Sequence, residues 1–391
     1  MPGELIVSAL GGEVRAALVR DEALVELLVL RGDAPPQAGD LFLARVERFD
    51  KGLDGAFVDL GLERSGLLPK REMIGPPPPE GTALTVKVVR APAAGKGARV
   101  SARVSAAEAA RAEGHRAPAR LPAGAAPLAG LLRSAAVTGV VADDAALLKQ
   151  LEREAGADGC QFSLHTAREP LFETKGLETQ VEALLQPRVD CAGGSFLLIE
   201  PGQTLTAIDV NAGRHDGRGG AEALARQVNH AAVPEIARQL RLRALSGLIV
   251  VDFLALRKAE DRKALAAALR RAVESDPEPC QVFGLSPSGL LEMTRRRSRP
   301  PLHEVLCRRS GLGGSGWEKT PETLACEALR ALAAAAMGRA VRAPGLRAAP
   351  AVAEALKGGQ AAALAAVEQR LGSAVTVTAD PLVERYELVL G

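Results

Sequence analysis

Two short apolar runs, each carrying an aspartate near its carboxyl end and separated by one helix-length segment, restrict this chain more than any other feature. The first is LTAIDVNAG (Leu205 to Gly213) and the second is GLIVVDFLALR (Gly247 to Arg257). Both are rich in β-branched residues and bounded by Gly, which reads as a buried strand. Between them Leu224, Val228, Ile236 and Leu240 recur at helical spacing over Ala221 to Arg243, with Pro234 expected to interrupt or kink the helix. Strand, helix, strand predicts a crossover unit with parallel strands. If the strands are neighbours, Asp209 and Asp252 emerge at one edge of the sheet, where open α/β sheets place their sites.

Two buried carboxylates side by side repel unless a cation sits between them. Oxygen ligands on rigid strands suit Mg²⁺, which takes one or two carboxylates and completes its shell with water and phosphate. Asn211, two residues after Asp209, points to the same face and could bond a phosphate oxygen. A lone Asp at a strand end is more often a helix cap or a turn residue. Two of them in one unit raise the case for a site, and geometry alone stops there.

At 391 residues the chain should divide into two to four domains. Charged residues make up 25% and apolar ones 47%, so it folds rather than staying disordered. Net charge is only +2, so contact with nucleic acid must come from local basic clusters. Five scattered cysteines without a C-x-x-C pair argue for a reducing compartment. No signal peptide is visible, and no apolar run reaches the ~18–20 residues of a membrane span. A cytoplasmic protein with no membrane span is expected.

In chain order, residues 4–30 read as a three-stranded meander with too little core of its own, so it should join a sheet completed by later residues. Residues 39–104 hold five short strands with Gly, Pro and Asp at the joints, the count of an OB-fold that binds single-stranded nucleic acid. Phe57 and Lys96 are its candidate contacts, with a core role for Phe57 as the alternative. Residues 105–129 read as a short helix and an irregular linker, followed by a strand and then a helix from about Asp143 to Glu154. Arg133 and Ser134 could hold a phosphate, although an Arg near a strand end is more often a solvated surface residue. RQLRLR (Arg238 to Arg243) and TRRRSR (Thr294 to Arg299) flank the acidic pair, as a polyanionic substrate would require. Residues 301–320 read as a Gly-rich linker, and 321–391 as a small α+β domain with an Ala-rich helix from Pro321 to Arg339.

These residues resemble the ribonuclease E/G endoribonucleases. LTAIDVNAGR, EIARQLRLRALSGLIVVDF and GLLEMTRRR follow one another in the family's order and spacing. GAFVDLGLERSGLLP is similar to the family's RNA-binding OB-fold, and RLGSAVTVTADPLV to the end of its small C-terminal domain. The resemblance runs from about residue 4 to 391, with deletions. It implies an α/β and α+β multidomain protein: an OB-fold RNA-binding barrel (39–104) inserted in an RNase H-like subdomain (1–38 and 143–185), a shortened 5′-sensor-like region (105–142), a DNase I-like catalytic domain (186–300), a linker (301–320) and a small C-terminal domain (321–391). It also implies that Asp209 and Asp252 ligate Mg²⁺ and that Asn211 positions the scissile phosphate. By the same resemblance Phe57 matches an RNA-stacking aromatic and Arg133 and Ser134 a pair that holds a 5′-monophosphate, while the loop lysine and the basic clusters themselves offer Lys96, Arg238, Arg241, Arg243, Arg295 and Arg296 as further RNA contacts. The implied chemistry is hydrolysis of single-stranded, A/U-rich RNA to 5′-phosphate and 3′-hydroxyl ends, in rRNA or tRNA maturation or mRNA decay. The alternative is a non-catalytic RNA-binding or assembly protein on the same scaffold, which would need none of Asp209, Asn211 and Asp252.

The chain departs from the family in three places. The family's C-P-x-C segment reads Cys307-Arg308-Arg309-Ser310 here, so one thiolate ligand is missing and no zinc-linked tetramer is expected. A homodimer should then rest on apolar packing, for which the Ala-rich helix is the expected surface. The region after the OB-fold is shorter, with a strand and a basic sensor residue lost. DPEPCQ (Asp276 to Gln281) has Pro and Glu where basic residues are usual near the 5′ pocket.

Overall fold

The structure, a computed structural model, describes residues 3–32, 36–92, 97–121, 126–134, 137–155, 159–167, 169–214, 220–310, 316–336 and 343–390. Its first three strands, β1 (Gly3–Ser8), β2 (Val14–Arg20) and β3 (Ala23–Leu30), form the expected meander. Asp21 and Glu22 turn the second hairpin with φ of 48° and 62°, the handedness that matches strand twist.

The chain divides into two compact units, one of which holds residues 32–127 and 298–300. In that unit β4 (Leu41–Asp50), β5 (Gly55–Asp59), β6 (Gly66–Pro69), β7 (Ala83–Arg90) and β8 (Arg99–Ser101) pair in the order β5-β6-β8-β7-β4, and β4 pairs back to β5. That closes a five-stranded barrel and removes its edges. Phe42, Val46, Val58, Leu68, Val86 and Val100 fill it. A short helix follows, α1 (Ala106–Ala110), opened by a reciprocal cap between Ser105 and Glu108, and then β9 (Ala119–Arg120), which pairs with β4.

The other unit takes up the remaining chain. After α2 (Ala126–Ser134), β10 (Val137–Ala142) pairs parallel to β1. Helix α3 (Ala145–Ala155) then leads to β11 (Gln161–Leu164), which completes a sheet ordered β11-β10-β1-β2-β3. The meander thus gains the later strands that its small core calls for. Helices α4 (Leu171–Thr174) and α5 (Leu177–Ala183) follow. Glu178 of α5 takes both carboxylate bonds from Nη1 of Arg15 on β2, at 2.8 and 2.9 Å.

The central sheet has six strands ordered β12-β13-β14-β15-β17-β16. Its elements are β12 (Arg188–Asp190), β13 (Phe196–Pro201), β14 (Leu205–Asn211), α6 (Ala221–Leu242), β15 (Gly247–Asp252), α7 (Ala259–Ala272), β16 (Cys280–Leu285) and β17 (Leu291–Arg295). Strands β14 and β15 are parallel neighbours joined through α6, as the strand–helix–strand pattern predicts. Ile208, Val210, Ile249, Val251, Leu291 and Met293 bury one face of the sheet in a core with Val228, Ile236, Leu265 and Leu269 of α6 and α7. The alternating residues Leu205, Ala207, Asp209, Leu248 and Asp252 are exposed. These strands are therefore half-buried, and not the fully buried strands that their apolar runs suggest.

Helix α6 runs unbroken through Pro234, where an interruption or kink is expected. Pro234 and His230 both lie on the exposed side, so the ring faces away from the core and the carbonyl deprived of its donor meets water. Val228, Val233, Ile236 and Leu240 pack on both sides of the proline and hold the helix together.

Where a linker is expected, the chain forms α8 (Leu302–Leu306) and a hairpin of β18 (Cys307–Arg309) and β19 (Trp317–Lys319). The last elements are α9 (Pro321–Ala336), β20 (Pro344–Ala348), α10 (Pro350–Lys357), α11 (Ala361–Leu371), β21 (Thr376–Ala379) and β22 (Tyr386–Leu390), the strands ordered β21-β20-β22. Ala325, Ala328, Leu329, Leu332 and Ala333 of α9 are buried against Leu346, Val352, Leu356 and Val367 of the same chain. The Ala-rich helix is therefore consumed by its own core, and its apolar face does not offer the dimer surface expected of it.

Candidate active site

Asp209 and Asp252 are the final register partners of the β14–β15 pairing. Adjacent strands lie about 4.8 Å apart, and in-register residues share a pleat direction, so the two carboxylates stand side by side on the open face. Both are exposed, where side-by-side burial is the sequence expectation. Asn211 shares their face, and its Nδ2 donates to Asp209 Oδ2 at 2.7 Å, which fixes the carboxylate's orientation. Across β13, Leu198 faces Asp209 and Phe196 faces Asn211, with the Arg188 guanidinium 3.7 Å above the Phe196 ring centre.

The backbone around the pair is tightly specified. Gly213 ends the motif at φ 58°, and a side chain there would meet the Gly194 carbonyl oxygen at 2.2 Å, so only glycine fits. Beyond Asp252, a buried amide on α6 holds the chain: Asn229 Nδ2 donates to the Leu254 carbonyl at 2.8 Å and its Oδ1 accepts the Leu254 N–H at 3.0 Å. Glu222 accepts the Arg257 N–H at 3.0 Å, and Arg262 Nη1 donates to the carbonyls of Leu256 and Arg257 at 2.9 and 2.8 Å. Sequence reading passes over Asn229. A polar residue one position beyond Val228, on the apolar stripe of α6, is the signal that could have found it.

The donor set fits a hard divalent cation that keeps most of its own water. Two exposed carboxylates converge, and among the described residues no group of three or more His, Cys, Asp or Glu could hold a metal ion. Zinc favours closed sets of thiolates and imidazoles, whereas Mg²⁺ accepts one or two carboxylates with water and phosphate.

The arginines of the basic clusters range from buried to exposed. Arg295 is buried, donating from Nε and Nη2 to Asp276 at 3.0 and 2.8 Å and from Nη1 to the Leu245 carbonyl at 3.1 Å. Arg243 is buried too, bonded to Gln239, and burial lowers its guanidinium pKa to about 10. Arg241 pairs with Glu26 on β3, and Arg238 donates to the Leu24 carbonyl at 3.1 Å and to Glu235 at 2.8 Å. All four are bonded within the chain: Arg243 and Arg295 are buried, whereas the side chains of Arg238 and Arg241 remain 33% and 20% exposed. Arg296 is exposed, 3.1 Å from Glu278. Asp276 and Glu278 of DPEPCQ thus serve as partners for these arginines.

In the barrel unit, Phe57 lies on the outer side of β5, between the buried Ala56 and Val58, with the Arg48 guanidinium 4.4 Å from its ring centre. It is half-buried and stands outside the barrel's apolar core. Lys96 lies outside the described residues. Arg133 and Ser134 close α2, not a strand, and their side chains lie outside the described ones. Cys307 is buried, and burial pushes its thiol up to about 11.

A parallel strand pair carrying two in-register aspartates on the open face of an α/β sheet, with a closed five-stranded barrel as a separate unit, defines a multidomain α/β protein with an oxygen-donor site. The model of the ribonuclease E/G family matches residues 99–298. The chain belongs to that family. Among relatives, ribonuclease G of Salmonella typhimurium is 33% identical over 229 residues, 58% of this chain and 47% of that one. Ribonuclease G of Haemophilus influenzae is 26% identical over 423 residues, 84% of this chain and 86% of that one. Ribonuclease E of Escherichia coli is 40% identical over 157 residues, 39% of this chain and 15% of that one. The match to the Salmonella and Escherichia coli ribonuclease G proteins spans about half of their length.

Proposed function

We propose that this protein is a Mg²⁺-dependent endoribonuclease that hydrolyses single-stranded RNA to leave 5′-phosphate and 3′-hydroxyl ends, in rRNA or tRNA processing or mRNA decay. The observation that carries the reading is the register pairing of Asp209 with Asp252, exposed and braced by Asn211. Family membership and the relatives' names support the substrate class. Asp209 and Asp252 would hold the cation. It would supply Lewis-acid polarisation of a phosphoryl oxygen and lower the pKa of a water molecule. An amide nitrogen has two N–H donors. Asn211 spends one on Asp209 and aims the other at the scissile phosphate. The bonds from Asn229, Glu222 and Arg262 keep the strand end carrying Asp252 from swinging as RNA enters.

On this reading the barrel is an OB-fold, the sheet β11-β10-β1-β2-β3 is RNase H-like, and the central sheet is DNase I-like. Phe57, backed by Arg48, stacks on an unpaired base, and Lys96 adds a phosphate contact. Arg133 and Ser134 hold the substrate's 5′-phosphate, while Arg296 adds phosphate contact at the central sheet. Protomer association does not run through zinc, because Cys307 stands alone of the thiolate pair and its thiol is buried. The five scattered cysteines, with no C-x-x-C pair in the sequence, are the ground for proposing a cytoplasmic location. Among the described residues no helix is long and apolar enough to cross a membrane.

The test is incubation of purified protein with an end-labelled single-stranded oligoribonucleotide. Internal cleavage with Mg²⁺ and none with EDTA is expected, the products ligatable through their 5′-phosphates. Tight RNA binding without cleavage in Mg²⁺ would favour an RNA-binding or assembly protein.

A further inference from the structure

We propose that a cavity of about 460 Å³ beside β14 is a nucleobase subsite, seating the base of a nucleotide adjacent to the scissile phosphate. The proposal rests on the endoribonuclease reading and names a part of the site that reads sequence. Leu205 and Ala207, on the open face of β14, line one side of the cavity, and Asp209 is the next residue on that face. Alternate residues of a strand lie about 6.6 Å apart, comparable to the spacing of successive phosphates in an extended single strand. A phosphate at the aspartates therefore brings a neighbouring base to the cavity.

The remaining lining has the chemistry that holds an unpaired base. Trp317 and His303 meet edge to face, ring centres 4.3 Å apart at 63°. The exposed Arg309 guanidinium lies 5.0 Å from the Trp317 ring centre. Aromatic rings and guanidinium planes are the surfaces on which splayed bases stack. Arg243 also lines the cavity, and its buried Nη2 has no hydrogen-bond partner among the described residues. A buried donor left unpaired is costly, and a carbonyl oxygen on the base would relieve it. Burial and the charges of Arg243, Arg297 and Arg309 hold His303 down to about 4, so at neutral pH it is an uncharged imidazole able both to donate and to accept. The same charges favour a polyanion here. Uracil, cytosine and guanine carry the carbonyl that Arg243 lacks a partner for, and adenine does not, so the subsite should disfavour adenine.

The chain has a single tryptophan, so its fluorescence reports on this cavity alone. In the Asp209→Asn, Asp252→Asn double variant with EDTA, hexauridylate should change Trp317 emission saturably. The midpoint should match that from the anisotropy of labelled RNA, and hexaadenylate should bind at least about threefold more weakly. With Mg²⁺, Trp317→Leu and Arg309→Ala should each flatten the base preference at one position beside the cut in a randomised single strand, while cutting continues. Arg309 is exposed, so its variant decides the matter if Trp317→Leu misfolds. If RNA binds and is cut but Trp317 emission stays still and Arg309→Ala leaves the preference intact, the subsite is wrong and the endoribonuclease reading stands. Equal binding of the two homopolymers would overturn the carbonyl preference. Absence of both RNA binding and cleavage would overturn the subsite together with the reading beneath it.

Discussion

At the scale of single residues, the site depends on groups that never meet substrate. Asn229 is fully buried and satisfies both polar groups of Leu254, two residues past Asp252. Asn229→Leu leaves that N–H and carbonyl without partners, at a cost of about 1–3 kcal/mol. Cleavage should fall by about tenfold from misplacement of Asp252, with RNA binding kept. Unchanged cleavage in a folded variant would contradict the positioning role. His303 sets a pH dependence. Its folded pKa is about 4 against an ordinary 6.5, because burial and nearby arginines disfavour the imidazolium. The unfolded chain takes a proton below pH 6.5 while the folded chain resists until about 4. The contribution to stability is complete above 6.5 and is lost as pH falls through that window, about 3 kcal/mol in all. His303→Phe should melt with a shallower decline between pH 7 and 4 than the parent protein, and equal slopes would refute the assignment.

At the scale of elements, burial decides what a charged run does. Arg295 and Asp276 form a pair whose side chains are 3% and 4% exposed. Arg295→Met strands the carboxylate and should destabilise the chain by about 3–5 kcal/mol, whereas Arg296→Ala should leave melting unchanged and weaken RNA binding only slightly. Comparable melting for the two variants would mean that the pair is not structural. On the outer side of β5, Phe57→Ala should weaken single-strand binding by about 1–3 kcal/mol without unfolding the barrel. A lowered melting temperature with RNA affinity intact would mark Phe57 as a packing residue instead. The sequence made the strands legible: alternation and glycine boundaries locate β1 to β8, β14 and β15 closely. It also held the clue to Arg295, which shares the inward parity of Leu291 and Met293 on β17. What it concealed was partnership, since Glu26 lies 215 residues from Arg241 and no local pattern joins them. The Ala-rich helix was misleading for a related reason, because small residues suit a close contact within the chain as well as one between copies.

At the scale of the whole molecule, a closed barrel and an open acidic sheet are separate units of one chain. The pairing of Asp209 with Asp252 could be anticipated because one crossover unit contains both. The proposed division of labour gives RNA capture to the barrel and cutting to the sheet, so loss of chemistry should separate from loss of binding. The most direct measurement is single-turnover cleavage of a labelled single strand by Asp209→Asn and by Asp252→Asn at saturating Mg²⁺, with RNA affinity measured in parallel. Each substitution keeps the side-chain shape and removes one charge from the cation site. The account predicts a fall of at least about 100-fold in cleavage for either variant, with affinity for RNA little changed. Cleavage by either at close to the parent rate would contradict it.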